Sequence, residues 1–380
     1  MGKSLKGKEL GKGITQRKDG IYQGRFVNRF GERRTVYANS LKEIREKLRD
    51  EEYEDDKCIN IVHRNMTLDE WYEIWMETCK KNCRESTKAT YAGHYRRIQK
   101  GLGWRKLSEL NLIVMQQVFN ELGTDNERKN SKKILVDMME KAIDSDLLIK
   151  NTAKQINAVI SKEPKKERRV LTREETELFL AQAEDTFYYN LYVLALETGM
   201  RIGELTGLRW DDVDFNRKVL YVRRTLSYFQ KDGKYIFEWH DTKTHNGRRT
   251  IPLTSRAIAA LKKQRLQQKT ILLKHASEVS EEYRDLVFAT KTGQPTQTFI
   301  VKECIELTVK QLRQQGHEIE SFSAHCFRHT FATRAIENGV TPKTLQRLLG
   351  HGSLMMTMDL YCHVTDDTLF EAMELMEKMV

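Results

Sequence analysis

In the stretch SAHCFRHTFAT, residues 323–333, His325, Arg328 and His329 stand within five positions. On a helix His325 and Arg328 are i,i+3 neighbours that share a face, with His329 close by. Phe327 and Phe331, four apart, face elsewhere and can anchor that helix in a core. A planar guanidinium binds two oxygens of a phosphate while an imidazole beside it moves a proton. Taken alone, His-x-x-Arg is equally a basic helical surface, so matching residues elsewhere decide the matter. ETGMRIGEL sets Arg201 just after a glycine turn at the start of a helix, with Glu204 one turn on to hold the guanidinium. The helix macrodipole repels a cation there, and that local cost marks a place where an anion is expected. Lys243, in DTKTHNG, stands just before a turn from which a flexible ammonium reaches inward; the plain alternative is a solvent-facing lysine. His351 follows Leu348-Leu349-Gly350, just past a helix end, and Tyr361 comes ten residues later in MDLYCH. Singly, Tyr361 reads as an interior aromatic.

The elements that must position these residues are legible from period and caps. Val170 onward is mixed: Thr172-x-x-Glu175 is a capping box, 187–197 is an apolar helix, and 201–206 adds a helical turn. Strands are predicted at 218–225, 235–244 and 248–252, the last two joined as a hairpin through His245-Asn246-Gly247. Helices follow to the end, one of them opened by Thr341-Pro342, buried by Leu345, Leu348 and Leu349, and closed by Gly350. Residues 63–160 carry four amphipathic helices, with Leu68, Trp71, Ile74 and Trp75 on the first and Tyr91, Tyr95 and Ile98 on the second. Leu112, Met115, Val118, Phe119 and Leu122 mark the third, and Ile134, Leu135, Met138, Met139, Ala142 and Ile143 the fourth. That pattern is a compact bundle whose Trp and Met stripes are core. Before it, residues 13–38 read as three short strands, and Ser40-x-x-Glu43 opens a helix. SKEPKKERR, 161–169, reads as a linker between domains.

Composition narrows the class. A 380-residue chain exceeds one hydrophobic core, so several domains are expected. With 39% hydrophobic and 31% charged residues it fits a globular protein, and no apolar run is long enough for a membrane span. The first residues, MGKSLKGKEL, lack a signal-peptide core, which points to the cytoplasm. Six scattered cysteines without a CxxC pair read as free thiols. The net charge of +11 favours a polyanionic partner. Residues 1–40 concentrate it, with ten Lys or Arg against three acids, so a basic sheet lying in a DNA groove and a merely solvated sheet both fit.

Together, Arg201, Lys243, His325, Arg328, His351 and Tyr361 make the chain resemble the tyrosine recombinase (integrase) family, through TGMRIGELTGLRWDDVD and HCFRHTFAT…LGHGSLMMTMDLYCHV. The layout looks most like phage-type integrases, conjugative-transposon integrases above all. The resemblance implies a multidomain architecture. An α+β arm-site DNA-binding domain would span 1–62, an all-α SAM-like core-binding bundle 63–163, and a mainly helical α+β catalytic domain of the DNA breaking-rejoining fold, with a small antiparallel sheet, 164–380. It implies integration and excision of a mobile element through a 3′-phosphotyrosine formed by Tyr361. Arg201 and Arg328 would clamp the phosphate, Lys243 would protonate the leaving oxygen, His325 would carry the tyrosine proton, and His351 would bond a phosphate oxygen. Lys231 and Lys234 are alternatives to Lys243, since the family's lysine spacing varies. Glu204 and His329 would support the site, and Arg25, Arg29, Arg33, Arg34, Arg96 and Arg97 would touch DNA. No cofactor, metal or ATP is implied, and no membrane. The partners implied are duplex DNA at core and arm sites, three further copies in a tetramer, and an excisionase or DNA-bending accessory protein, at the bacterial nucleoid. The apolar tail, with Leu369, Phe370, Met373, Leu375 and Met376, would dock on a neighbouring copy, the alternative being that it packs back on its own domain. Two rival readings are a type IB topoisomerase-like enzyme and a catalytically silent DNA-binding regulator.

Overall fold

The computed structural model describes residues 2–5, 7–27, 33–56, 65–159, 169–231, 233–241, 247–361 and 377. Residues 161–168 of the expected linker, Arg29, Lys243 and, apart from Glu377, the tail beyond Tyr361 with its apolar residues lie outside them. The chain parts into two compact units, Met1–Pro164 and Lys165–Val380.

The first unit begins with a two-stranded ladder, β1 (Gly2–Lys3) against β2 (Glu9–Gly11), and a three-stranded antiparallel sheet of β3 (Ile14–Gln16), β4 (Tyr22–Val27) and β5 (Arg33–Ala38), in that order. Side chains alternate across a pleated strand. Gly24 and Phe26 therefore turn to one face, where α1 (Leu41–Asp56) lays Ile44 and Leu48 over Leu10, Ile14 and Ala38. Ser40 Oγ accepts from the amide of Glu43, as the capping motif requires.

Helices α2 (Leu68–Thr78), α3 (Glu85–Leu102), α4 (Leu112–Asn120) and α5 (Asp125–Asp144) bury the stripes read from the sequence. Thr67 and Thr124 form full capping boxes with Glu70 and Glu127. Tyr72 and Tyr95 stack with ring centroids 3.8 Å apart, and the indole of Trp71 donates to the carbonyl of Met138 at 2.9 Å. The polar edges of Trp71 and Tyr95 thus find partners, the latter through Oδ1 of Asp69 at 2.8 Å, which helps such rings enter a core.

The second unit packs α6 (Arg173–Ala183), α7 (Tyr189–Thr198) and the short α8 (Ile202–Thr206) around a second core. Strands β6 (Val213–Asp214), β7 (Val219–Val222), β8 (Arg224–Lys231), β9 (Lys234–Asp241) and β10 (Arg249–Pro252) follow. Then come α9 (Ser255–His275), α10 (Thr298–Gln314), α11 (His325–Glu337), α12 (Pro342–Leu349) and α13 (Met355–Tyr361). The result is a mainly helical fold with small antiparallel sheets.

The strands correct the sequence reading. β10 pairs with β7, not with β9, and β9 pairs with β8 over its full length, from Arg224↔Asp241 to Lys231↔Lys234. The expected strand at 218–225 is two strands in two sheets, and the hairpin turn falls between Lys231 and Lys234 rather than at Asn246-Gly247. Both positions carry a good two-residue turn signal, Asp-Gly and Asn-Gly. Packing chose between them: Leu226, Phe237 and Trp239 of the β8–β9 hairpin bury against Tyr283, Leu286 and Ala289.

Candidate active site

Helix α11 is pinned by its two phenylalanines. Phe327 sits in an aromatic cluster with Phe179, Tyr192 and Phe322, and Phe331 packs beside Leu345 and Leu349. Between them, Arg328 turns inward and is only 3% exposed. Its Nη1 donates to the carbonyl of Gly199 at 2.9 Å and its Nη2 to the carbonyl of Leu349 at 2.8 Å. Neither acceptor carries a full charge. Burial, with the Arg201 guanidinium nearby, pushes its pKa down to about 9. A buried cation without a carboxylate of its own is a place built for an anion.

Gly199 closes α7 in the left-handed conformation, φ +61°. A Cβ there would stand 2.4 Å from Cδ1 of Phe331 and 2.9 Å from Cδ2 of Leu349. Gly199→Ala is therefore expected to lower stability by about 2–4 kcal/mol, from left-handed strain and overpacking together. Urea unfolding checks this, and a loss below 0.5 kcal/mol would show that the cluster yields freely.

Arg201 caps α8, and its own amide donates to Glu204 Oε2 at 3.0 Å. Its Nη1 donates to Glu204 Oε1 at 2.8 Å and its Nη2 to the carbonyl of Gly350 at 3.4 Å, with 38% of the side chain exposed. Glu204 itself is 2% exposed. Burial pushes its carboxyl up, but the hydrogen bond and charge of Arg249 and the contacts of Arg201 hold it below the usual carboxylate range.

The C-terminus of α12 thus offers three successive carbonyls to three arginines: Leu348 to Arg249, Leu349 to Arg328 and Gly350 to Arg201. Carbonyls at a helix end lack partners within the helix, and the macrodipole makes them negative. One helix end therefore gathers cations from β10, α11 and α8. Gly350, at φ +66°, ends α12 there and delivers His351, 7% exposed, whose Nδ1 lies 2.9 Å from Oγ1 of Thr357 in α13. Arg248, Lys343, Arg347 and His351 line a cleft of about 440 Å³ beside this cluster.

The comparisons bear on what such a cluster is for. A model of the phage integrase family matches residues 169–368, more than half of the chain. The chain belongs to the phage integrase family. The chain also matches the N-terminal SAM-like domain of phage integrases over residues 67–123. It is 30% identical to a "Tyrosine recombinase XerC-like" protein of Caldanaerobacter subterraneus, with 90% of each chain covered. It is 27% identical to the transposase of transposon Tn916 from Enterococcus faecalis, over 98% of this chain and 96% of that one. Among solved structures, the Tn1549 transposon integrase in complex with transposon right-end DNA superposes with a TM-score of 0.68 at 25% identity, covering 81% of the recombinase and 99% of that chain. This chain is a site-specific tyrosine recombinase of the integrase type.

Of the site residues expected from the sequence, the structure brings Arg201, Glu204, Arg328 and His351 together around the end of α12. His325 is exposed at the start of α11, and its ring meets that of His329 edge-on at 4.8 Å. Tyr361 is the last described position of α13. Lys243 lies outside the described residues; its flanks do not. Asp241 takes an ion pair from Arg248 at 2.9 Å, and the carbonyl of Gly247 accepts from Arg249 at 3.2 Å. Lys231 and Lys234 are at the far tip of the hairpin, seven residues from Arg224↔Asp241.

Of the arginines expected at DNA, Arg25 and Arg33 share the outer sheet face and are exposed, whereas Arg34, opposite Phe26, points to the other face. Arg96 is exposed on α3. Arg97 is held by Glu127 at 3.2 Å and the carbonyl of Gly93 at 2.9 Å.

Sequence reading missed Arg249. In RRTIP it looks like a strand-end surface cation, yet its side chain is 4% exposed. The signal that pointed to it was Glu204, a carboxylate in a short buried turn that needs more countercharge than one half-exposed arginine provides.

Proposed function

We propose that the recombinase integrates and excises a mobile element, a conjugative transposon or prophage, by cutting and rejoining DNA through Tyr361. The carrying observation is the pair of guanidiniums of Arg201 and Arg328 held at one helix end. Three arginines against one carboxylate leave a formal surplus of two positive charges there. A phosphodiester under attack by a tyrosine oxygen gathers two negative charges on its non-bridging oxygens, and that surplus matches them.

In this reading the bond from Oη of Tyr361 to phosphorus forms as the bond from phosphorus to the 5′-oxygen breaks. A phenol with a pKa near 10 needs a base, and His325 takes its proton. Lys243 returns a proton to the leaving 5′-oxygen, and His351, oriented by Thr357, bonds a non-bridging oxygen. The lysine is assigned to 243 because both flanks of its segment are fastened beside Arg249, whereas Lys231 and Lys234 are roughly 20 Å of strand away. Exchange between two duplexes breaks four strands, and each chain supplies one Tyr361, so the assembly has four copies. Residues 1–62 are read as the arm-site domain, presenting Arg25 and Arg33, residues 63–163 as the core-site bundle, and residues 164–380 as the catalytic domain. The relative named as the transposase of transposon Tn916 and the Tn1549 integrase solved with transposon right-end DNA support the choice of element. No described helix is long and apolar enough to cross a membrane, in keeping with work on DNA in the cytoplasm.

The test is a nicked suicide duplex carrying the attachment site. An adduct that survives boiling in SDS is expected, and after proteolysis the nucleotide should map to the peptide holding Tyr361. No adduct, or one on another residue, overturns the mechanism. A product joined from two duplexes separates exchange from mere relaxation.

A further inference from the structure

We propose that Arg249, in β10, is a positioning residue that frees Arg201 to act on the phosphate; this rests on the reading above that Arg201 and Arg328 clamp the scissile group. Four of its five N–H donors are spent inside the protein. Nε reaches the carbonyl of Leu348 at 2.6 Å, Nη1 reaches Glu204 Oε1 at 3.1 Å and the carbonyl of Gly247 at 3.2 Å, and Nη2 reaches Glu204 Oε2 at 2.7 Å. A guanidinium so occupied and 4% exposed does not bind substrate itself, although its residue forms part of the cleft wall.

What it does follows from the carboxylate they share. Glu204 Oε1 accepts from both Arg249 and Arg201, and Oε2 from Arg249 and the Arg201 amide. Glu204 is needed to aim Arg201, yet a carboxylate paired with Arg201 alone would cancel the charge the phosphate requires. Arg249 faces that carboxylate with a two-pronged fork and supplies the opposing charge, so Glu204 can orient Arg201 without neutralising it. Its third arm, on Leu348, fixes β10 to the helix end that also holds Arg328 and Arg201. Orientation and electrostatics at the clamp therefore depend on a residue that never meets DNA.

The test compares single-turnover adduct formation on the suicide duplex with DNA affinity, using the full chain. Arg249→Met is expected to slow adduct formation by about 10²-fold with Kd changed less than about threefold. Adding Glu204→Gln to Arg249→Met removes the uncompensated carboxylate and is expected to recover at least about tenfold of the rate. A purely structural role gives the opposite, since losing both partners would make the double variant slower still. Where Arg249→Met does not fold, Arg249→Lys keeps the charge without the fork and is expected to be at least about tenfold slow at unchanged Kd. An undiminished rate in Arg249→Met, or in Arg249→Lys where that variant replaces it, overturns the proposal, as does a double variant no faster than the single one. Arg201→Ala separates the two levels. If it forms adduct at full rate, the site reading itself fails; if it is inactive while the Arg249 variants are not, only the positioning role fails.

Discussion

Arg328→Met is expected to stop strand cleavage while leaving the fold about as stable as before. Cleavage should fall by roughly 10²–10³-fold or more, because a preorganised donor pair aimed at developing charge is lost from a water-poor site. DNA affinity should barely change, since one phosphate contact among many is removed. Stability is a balance of two opposed terms. Relief from burying an unpaired guanidinium at 3% exposure is worth about 1–4 kcal/mol, and Met fills much of the same space. Against it, the carbonyls of Gly199 and Leu349 lose their donors, at about 1–3 kcal/mol each where water cannot replace them. The two nearly cancel, so Tm should stay within about 5 °C of the parent. Paired thermal melts and suicide-duplex cleavage check both halves. A variant that still cleaves would remove Arg328 from the clamp; one that melts more than 15 °C lower would make it a structural residue.

The division between what sequence showed and what it hid is physical. Arg201, Arg328 and His351 were legible because each stands beside a local signal: a glycine turn, a helix face set by two phenylalanines, a helix stop. Helices α2 to α5 were legible because their period and their capping boxes are also local. Arg249 was not, since its partners lie 45 residues before it and 99 after it, and a strand-end arginine carries no mark of burial. The pairing of β10 with β7 was hidden in the same way: Asn246-Gly247 advertised a hairpin, but the partner of a strand is settled by non-local packing. Arg34 looked equivalent to Arg33, and only the register opposite Phe26 separates their faces.

Glu204→Ala should be the most destabilising single change at this site. Glu204 is 2% exposed, and its two oxygens accept from both guanidiniums and from the Arg201 amide. Removing it leaves Arg249 buried beside Arg201 and Arg328 with carbonyls alone to meet their charge. Breaking a buried pair in this way costs about 3–5 kcal/mol, where deleting both partners would cost less. In a unit the size of 165–380 that corresponds to a fall in Tm of about 6–20 °C. Glu204→Gln keeps the shape and one acceptor, so its loss should be smaller. Acid distinguishes charge from shape. The folded pKa of Glu204 is lower than the unfolded one, so its contribution is complete above about pH 4.3 and fades as pH falls through the folded value. Urea unfolding at pH 7 and at pH 3 should show the gap between parent and Glu204→Gln narrowing at the lower pH. A gap of constant size would mean that the carboxylate is held for its shape and hydrogen bonds, and that the surplus positive charge at the end of α12 is not balanced through Glu204.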